Sequence, residues 1–200
     1  MTGIFGGSFN PPHKGHLHLA ETFKDEIELD RIIILPAGIP PHKEAPDLLS
    51  GKDRMEMCRR TFKGENYEIS SLEIERQGKS YTVHTLKEIK KKLGNEELFL
   101  LVGDDMLLSF HKWKNPYEIL SLATVVAGVR DAEKNSAILE EYAENFFPEE
   151  YKNGRFKFME MAPFPVSSTE IREMVKAGKT IDGLVTEETS DYILKRGFYA

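Results

Sequence analysis

The sequence predicts an α/β fold, in which one doubly wound domain has a mostly parallel central sheet and helices on both faces. Short apolar runs such as RIIILPAG and ELFLLVG alternate along the chain with segments of helical periodicity. These runs are continuous, as is typical of strands in a parallel sheet that is covered on both faces. A chain of 200 residues also suits one domain of this class. We therefore expect a single domain over 1–200, with the C-terminal helices of 168–200 packed on it.

The first half of the chain predicts three strands, each followed by a helix. TGIFGG forms a short buried strand, and GHLHLAETFKDEIE has apolar residues at helical spacing. RIIILPAG is a β-branched strand closed by Pro36 and Gly38, and GKDRMEMCRRTFKG follows as a helix. YEISSLEIER alternates like a strand, and TVHTLKEIKKKLG is a helix that ends at Gly94. Ligands should bind beyond the carboxyl ends of such strands.

The second half continues the same alternation of strands and helices. ELFLLVGDD is a buried strand, and DMLLSFHKW and NPYEILSLA are short helices. ATVVAGVR is a strand, and NSAILEEYAENFFPEEY is a surface helix with one apolar stripe. RFKFMEMAPF forms the last strand, and STEIREMVKAG and TEETSDYILKRG form the closing helices.

Composition and charge limit the classes of partner. The formal net charge of -6 argues against general nucleic-acid binding, which needs a basic face, but allows a small anionic ligand. The apolar runs are strand-sized, far below the roughly 20 residues that cross a bilayer, and the N-terminus lacks the pattern of a signal peptide. Cys58 is the one cysteine, and its helical spacing from Met55 and Phe62 predicts a packed core thiol. We expect a cytoplasmic protein that binds neither nucleic acid nor membrane.

The segment GGSFNPPHKGH, which begins at Gly6, has the composition of a phosphate-binding loop. Gly6 and Gly7 allow close approach and an unusual backbone, and the two prolines stiffen the turn. His13 and His16 bracket the first turn of the following helix, where a phosphate would be favoured. The spacing fits neither a P-loop nor a dinucleotide fingerprint. Metal binding and a purely structural helix start remain alternatives, and the metal is disfavoured because no cysteine or carboxylate lies nearby at ligand spacing.

A second candidate anion site is the segment PVSSTEIR. Ser167 and Glu170 form a capping box, which accounts for the segment as a well-capped helix start. Ser168, Thr169 and Arg172 add hydroxyls and a guanidinium to the same helix start. From this segment alone, a helix cap and a phosphate site are both open.

Together the two segments resemble the HxGH nucleotidylyltransferase superfamily. GxFxPxHxGH follows a first strand and SSTxIR opens a late helix, in the superfamily's order. Three further stretches, PPHK, SYTVHTL and GDDMLLSFHKW, are similar to the bacterial nicotinate-nucleotide adenylyltransferases. This family makes nicotinate adenine dinucleotide from nicotinate mononucleotide and ATP on a Rossmann-like domain. The resemblance runs from Gly6 to Arg172.

The resemblance implies roles for particular residues. His13 and His16 are expected to be catalytic, donating to phosphate oxygens in the transition state. The expected ATP-binding residues are Gly6, Gly7, Ser8, Phe9, His13, His16, Lys43, Gly103, Asp105, Ser168, Thr169 and Arg172. Mg²⁺ is expected to arrive with ATP rather than at a metal site of the protein.

The acceptor nucleotide is expected at three positions. The resemblance implies that the backbone around Thr85 receives the nicotinate carboxylate. Trp113 can stack on the pyridine ring, the alternative being a core tryptophan. Arg130 closes a strand and could reach phosphate, the alternative being a surface arginine. His84 and Asp104 have no assigned role.

Other functions and assemblies also stay open. A sibling transferase would use nicotinamide mononucleotide or phosphopantetheine, and a non-catalytic module would only bind nucleotide. The oligomeric state is open, with a homo-oligomer among the alternatives.

Overall fold

The computed structural model describes residues 1–38, 47–76, 79–129, 136–162 and 164–200. Lys43 and Arg130 lie outside these ranges, so the predictions made for them remain predictions. All the other residues assigned to the site fall within the described residues.

Six strands form one sheet within the described residues. They are β1 (Thr2–Gly7), β2 (Arg31–Pro36), β3 (Tyr67–Ile69), β4 (Leu98–Gly103), β5 (Thr124–Val129) and β6 (Phe156–Glu160). The order across the sheet is β3-β2-β1-β4-β5-β6, and β4 pairs in parallel with β1 and β5, as does β5 with β6. This is the strand order of a Rossmann-like doubly wound sheet. The predicted α/β fold class is confirmed.

Helices follow or precede these strands, as the alternation predicted. They are α1 (Lys14–Ile27), α2 (Gly51–Thr61), α3 (Leu72–Glu75), α4 (Thr82–Leu93), α5 (Asp104–Leu107), α6 (Pro116–Leu122), α7 (Ser136–Phe146), α8 (Pro148–Lys152), α9 (Ser168–Lys176) and α10 (Glu187–Arg196), with a 3-10 turn at Phe110–Lys112. Gly94 ends α4 with a φ of 63°, as expected for a glycine that terminates a helix. Within the described part of the chain, none of the helices combines the length and apolar character that a membrane crossing requires.

The strand predicted over YEISSLEIER is wrong in its second half. β3 ends at Ile69, and α3 follows. The Leu72 N–H donates to Ser70 Oγ (3.4 Å), and the Ser71 hydroxyl donates to the Glu75 carboxylate (2.6 Å). Such local serine contacts offer the backbone an alternative to the sheet ladder. They outweigh the apolar alternation that predicted a longer strand.

Two other predicted elements have different ends. The long helix predicted over NSAILEEYAENFFPEEY is divided into α7 and α8, because Pro148 disfavours helical backbone at the residue before it. Phe147 accordingly has φ -142° and ψ 54°. The strand predicted over ELFLLVGDD ends at Gly103, and Asp104 is already the first residue of α5.

By their internal contacts the residues divide into two compact units. Unit 1 consists of Met1–Phe5, Thr22–Ile32 and Tyr81–Pro163, and every residue of β4 and β5 is buried in it. Unit 2 consists of Gly6–Glu21, Ile33–Ser80 and Phe164–Ala200. Its core brings α2, α9 and α10 together through Met57, Ile171, Ile181, Val185 and Ile193. The expectation of one domain over 1–200 stays a prediction.

Cys58 belongs to the buried face of α2. Its side chain is fully buried, and burial raises the pKa of the thiol. A thiol in this state is a poor nucleophile. The prediction of a packed core cysteine is confirmed.

Candidate active site

The loop between β1 and α1 begins where the strand order of the sheet reverses, at β1. In sheets of this order, ligands bind at the carboxyl ends of the strands near that reversal. The loop is anchored at its start, because the Ala37 N–H donates to the Gly7 carbonyl at 2.8 Å. It ends at His13, immediately before α1.

The rings of His13 and His16 lie against each other at the start of α1. Their centroids are 3.7 Å apart and their planes differ by 35°. The His13 N–H donates to His16 Nδ1 and the His16 N–H to His13 Nδ1, each at 3.3 Å. The His16 N–H also donates to the His13 carbonyl at 2.9 Å. The prediction that both imidazoles are on the same side is confirmed.

These reciprocal contacts assign a tautomer to both rings. An Nδ1 that accepts a backbone N–H carries no proton, so in each neutral imidazole the proton is on Nε2. The Nε2–H group is then the donor that each ring can present to an oxyanion. The N-terminus of α1 adds partial positive charge at the same place.

Gly6 and Gly7 have different surroundings. A Cβ on Gly6 would meet no atom of the described structure within 4 Å, and the residue is exposed. A Cβ on Gly7 would lie 3.1 to 3.3 Å from three ring atoms of Phe9. A side chain on Gly7 would therefore press on the Phe9 ring, whereas Gly6 leaves open space for something outside the protein.

The unusual backbone predicted for Gly6 and Gly7 is found instead at Phe9. Its φ is 46°, in the left-handed region that a bulky residue rarely adopts. The Phe9 ring is 1% exposed and lies edge-on to His16 (5.1 Å) and to Phe62 (5.8 Å between centroids). This packing holds the strained backbone in place and supports His16 from behind. Any contribution of Phe9 to ATP binding is left to its backbone.

The capping box predicted at the start of α9 is present. Ser167 Oγ accepts from the Glu170 N–H at 3.2 Å, and the Glu170 carboxylate accepts from the Ser167 N–H at 2.8 Å. This pair satisfies two backbone donors and fixes where the helix begins.

The residues just after the cap contact the first loop within unit 2. The Ser168 hydroxyl donates to the Pro11 carbonyl at 2.8 Å. Arg172 donates to the Asn10 carbonyl at 3.0 Å and to Thr169 Oγ1 at 3.3 Å. The two segments that carried the resemblance, far apart in sequence, are thus brought together, and both the cap and the anion site remain compatible with the geometry.

Sequence reasoning missed Arg54, which is 2% exposed. Its Nε donates to the Leu49 carbonyl (3.0 Å) and its Nη1 to the Ser8 carbonyl (2.8 Å), with a longer contact from Nη2 to the Gly38 carbonyl (3.5 Å). Burial lowers the pKa of this guanidinium. Its position in the sequence could have revealed it, because Arg54 falls at helical spacing on the buried side of α2. A buried arginine must find hydrogen-bond acceptors inside the protein.

Asn10 was also missed, although it lies inside the loop that drew attention. Its side chain is 5% exposed. Nδ2 donates to the Asp47 carbonyl (2.9 Å), and Oδ1 accepts from the Leu49 N–H (3.2 Å) and the Tyr199 hydroxyl (2.9 Å). A lone asparagine among prolines and glycines carries no sequence signal that separates this role from an ordinary turn residue.

In unit 1, the predicted ribose-binding residues lie at the end of β4. Gly103 is the last residue of the strand, and Asp105 is exposed in α5. Asp104 is 3% exposed, and its Oδ1 accepts from the Asp105 N–H at 2.9 Å. The Asp104 carboxylate therefore satisfies a backbone donor at the start of α5.

Trp113 directly follows the 3-10 turn and is partly buried. Its ring lies 5.2 Å from that of Phe110, which is fully buried, and both flanking residues, Lys112 and Lys114, are exposed. The partly exposed position predicted for this tryptophan is confirmed. The ring is anchored on one neighbour and is not enclosed in the core.

Thr85 lies in the first turn of α4 and is 1% exposed. Its N–H donates to the Tyr81 carbonyl at 3.3 Å, so this group belongs to the helix itself. Helix geometry leaves the N–H groups of Thr82 and Val83 outside the intrahelical ladder, and these are better placed to bind an anion. Lys114 Nζ lies 4.4 Å from the centroid of the Tyr81 ring, which brings the tryptophan segment to the start of α4.

Within the ranges that the structure covers, no group of three or more histidine, cysteine, aspartate or glutamate side chains could hold a metal ion.

Comparison with known proteins gives the family. Residues 4–174 match the model of the cytidylyltransferase-like family. The chain is 39% identical over 198 residues to a probable nicotinate-nucleotide adenylyltransferase of Dictyoglomus thermophilum, covering 98% of both chains. It is 40% identical over 171 residues to a protein of the same name from Aquifex aeolicus, covering 85% of this chain and 100% of the relative.

A solved structure shares the fold. The Plasmodium falciparum nicotinic acid mononucleotide adenylyltransferase, complexed with NaAD, aligns with a TM-score of 0.79 at 18% identity, covering 99% of this chain and 96% of the other. The family match and the identity over nearly the whole length lead to one assignment. This chain belongs to the cytidylyltransferase-like family and, within it, to the nicotinate-nucleotide adenylyltransferases.

Proposed function

We propose that this chain transfers the adenylyl group of ATP to nicotinate mononucleotide, giving nicotinate adenine dinucleotide and pyrophosphate for NAD biosynthesis. The observation that carries the proposal is the pairing of His13 and His16 at the start of α1. The names of its relatives support the acceptor.

The reaction is a displacement at phosphorus. An oxygen of the 5′-phosphate of nicotinate mononucleotide attacks the α-phosphorus of ATP. The bond from the α-phosphorus to the oxygen that bridges it to the β-phosphorus breaks, and pyrophosphate leaves with that electron pair. The attacking oxygen is already anionic, so no strong general base is needed. Catalysis comes from positioning and from stabilising charge.

His13 and His16 supply that stabilisation through Nε2–H. They donate to oxygens of the α- and β-phosphates, where negative charge grows as pyrophosphate departs. Thr169 and Arg172, with Lys43, hold the β- and γ-phosphates. The Ser168 hydroxyl already donates a hydrogen bond to the Pro11 carbonyl. Ser168 therefore binds phosphate through its backbone N–H at the start of α9.

The remaining residues bind the two nucleosides. Asp105 and the backbone of Gly103 hold the adenosine ribose. Trp113 stacks on the pyridine ring, the turn before Thr85 receives the carboxylate, and Arg130 contacts the phosphate of the acceptor. Charge-assisted donors of this kind would be poorly matched to an amide, which favours the acid over nicotinamide mononucleotide.

MgATP is the form of the substrate. We propose that the Mg²⁺ ion is held chiefly by phosphate and water. The ion neutralises part of the negative charge of the triphosphate.

Pyrophosphate release is the experiment that tests the reaction. The assay supplies MgATP with nicotinate mononucleotide, nicotinamide mononucleotide or phosphopantetheine, and we expect clear preference for the first. Preference for phosphopantetheine would overturn the choice of acceptor. Binding of ATP without pyrophosphate release from any acceptor would establish a non-catalytic nucleotide-binding module instead.

A substitution of His16 tests the catalytic role separately. His16→Ala should lower kcat by roughly 10²- to 10³-fold, the cost of one lost oxyanion donor, and weaken ATP binding much less. His18→Ala is the matched control, because His18 lies on the same helix and its ring neighbours Phe164 (6.4 Å). A His16→Ala enzyme as active as the His18→Ala control would contradict the role.

The proposal extends to the cellular location of the enzyme and to its partners. We infer a cytoplasmic location, because the single cysteine is a free buried thiol, as suits a reducing compartment. Its small-molecule partners are ATP and nicotinate mononucleotide. Light scattering of the purified protein will determine whether copies associate.

A further inference from the structure

We propose that Tyr199 is a positioning residue for adenylyl transfer, acting through Asn10 on the loop that carries His13. This inference rests on the proposed function. It concerns a residue that follows the last helix and has no place in the motifs that carried the resemblance.

Asn10 is the point at which separate segments of unit 2 hold the loop. Its Oδ1 accepts from two donors, the Tyr199 hydroxyl at 2.9 Å and the Leu49 N–H at 3.2 Å. Its Nδ2 donates to the Asp47 carbonyl at 2.9 Å, and its own carbonyl accepts from Arg172 at 3.0 Å. Both ends of the amide and the backbone of the same residue are therefore engaged.

A shift of Asn10 would be passed on to His13. Between them are two prolines, Pro11 and Pro12, whose rings fix φ and leave the chain few ways to absorb a displacement. His13 contacts His16 directly, so both catalytic rings depend on this anchor. Catalysis is sensitive to such shifts, since a misplacement of about 1 Å can cost roughly 10²-fold in rate.

Tyr199 is itself held firmly. It packs on the core of unit 2 together with Phe198, with ring centroids 6.2 Å apart. Gly197 ends α10 with φ 63°, and Tyr199 has φ 64°, so two left-handed residues turn the chain back toward the loop. A tyrosine in this region is strained and persists only where its surroundings determine it.

The Tyr199 hydroxyl stays a donor across the pH range of an assay. Burial is the main cause that raises the pKa of Tyr199 above its ordinary value, and it outweighs the opposing charges of Arg172 and Arg54. The hydrogen bond to Asn10 therefore keeps its direction wherever the enzyme is tested.

The experiment compares two tyrosines whose hydroxyls donate at the same distance, one to the Asn10 amide oxygen and one to the Asp53 carboxylate. Tyr199→Phe removes the bond to Asn10. Tyr192→Phe is the matched control, because its hydroxyl donates to Asp53 at the same 2.9 Å and its ring packs on the same core. Each variant should lose some stability in urea unfolding, on the order of 1 kcal/mol.

Only Tyr199→Phe should change the chemistry. We expect kcat with nicotinate mononucleotide to fall roughly tenfold, with KM for ATP within about threefold of wild type. Tyr192→Phe should leave kcat within about twofold. Equal kcat values in the two variants would overturn the positioning role and leave Tyr199 as a stabilising residue.

A second measurement separates this proposal from the proposed function. The imidazole ¹H–¹⁵N signals of His13 and His16 report ring position without any turnover. They should move in Tyr199→Phe and not in Tyr192→Phe. Unmoved signals would refute the role of Tyr199, whereas a wild-type enzyme inactive with nicotinate mononucleotide would refute the proposed function.

A double substitution tests the route through Asn10. In an Asn10→Ala background, adding Tyr199→Phe should change the histidine signals and kcat little, by less than about twofold. If the two effects simply multiply, Tyr199 acts by some other path. Should Asn10→Ala fail to fold, the comparison of Tyr199→Phe with Tyr192→Phe still decides the matter.

Discussion

The substitution Gly6→Ala should change function without changing the stability of the fold. A Cβ added there meets no atom of the described structure within 4 Å, and Gly6 is the exposed residue of β1. Alanine can occupy such a position without overlap. If the backbone of Gly6 lies against the triphosphate, however, the added methyl group takes up the space of the ligand.

The two magnitudes follow from this geometry. Gly6→Ala should leave the free energy of unfolding within about 1 kcal/mol of wild type, with a gain if the unfolded chain loses freedom. The methyl group would hold a phosphate roughly 1 Å from its productive position, which lowers kcat/KM for ATP by about 10- to 100-fold. We expect the loss to appear both as a lower kcat and as a higher KM for ATP.

Gly51→Ala is the opposite control. A Cβ on Gly51 would lie 2.6 Å from Cγ2 of Ile74, so it would overlap the protein itself. This variant should lose about 1 to 3 kcal/mol of stability by overpacking and keep its KM for ATP. Urea unfolding and initial-rate kinetics on both proteins make the comparison. A stable Gly6→Ala enzyme with unchanged KM and kcat would show that Gly6 does not approach ATP.

Three further outcomes are expected. Trp113→Ala should raise KM for the acceptor roughly tenfold through lost stacking, with KM for ATP nearly unchanged in the same initial-rate assay. The hydrogen bond from the Ser50 hydroxyl is the main cause that lowers the pKa of Asp53. The ionised Asp53 carboxylate therefore stabilises the fold fully above the ordinary carboxyl range, and this stabilisation is lost as pH falls through the folded pKa. Asp53→Asn should cost about 1 kcal/mol at pH 7 in urea unfolding, and this loss should shrink on acidification. Thr189→Val leaves neighbouring threonine hydroxyls without their buried partner and should lower the free energy of unfolding by about 1 to 3 kcal/mol; an unchanged midpoint would contradict that role.

Features set by neighbours in the chain could be predicted from the sequence. The spacing of His13 and His16 placed both rings on one side of a helix start, and Ser167 with Glu170 gave the capping box. Both rest on helical geometry, which depends on residues three or four apart. The continuous apolar runs likewise predicted the buried strands, because a parallel sheet covered on both faces buries both sides of each strand.

Contacts with backbone carbonyls could not be predicted. Arg54 contacts the carbonyl of Ser8, and Arg172 contacts that of Asn10. Every residue has a carbonyl, so no residue type marks the acceptor, and the partners are far apart along the chain. The contact between Tyr199 and Asn10 could not be predicted for a related reason. Each residue type is common at its own position, Asn10 in a turn and Tyr199 after a helix, so neither indicates the other as its partner.

Phe9 shows where local preference gives the wrong answer. A left-handed backbone favours glycine, and two glycines lie close by, so the strain was expected there. The structure places it on Phe9, whose ring is buried and whose packing offsets the strain of the backbone.

The anchoring of the first loop has a consequence for selectivity. The carbonyls of Gly7, Ser8, Asn10, Pro11 and His13 all accept hydrogen bonds from the protein itself. An incoming ligand therefore meets a surface on which these five carbonyls already accept hydrogen bonds, while the Nε2–H groups and the helix start offer donors. Such a surface selects ligands by their hydrogen-bonding character. It favours a polyanion, which accepts hydrogen bonds, over a ligand that must donate them. A net negative protein can hold a triphosphate in this way, with few cations at the point of contact.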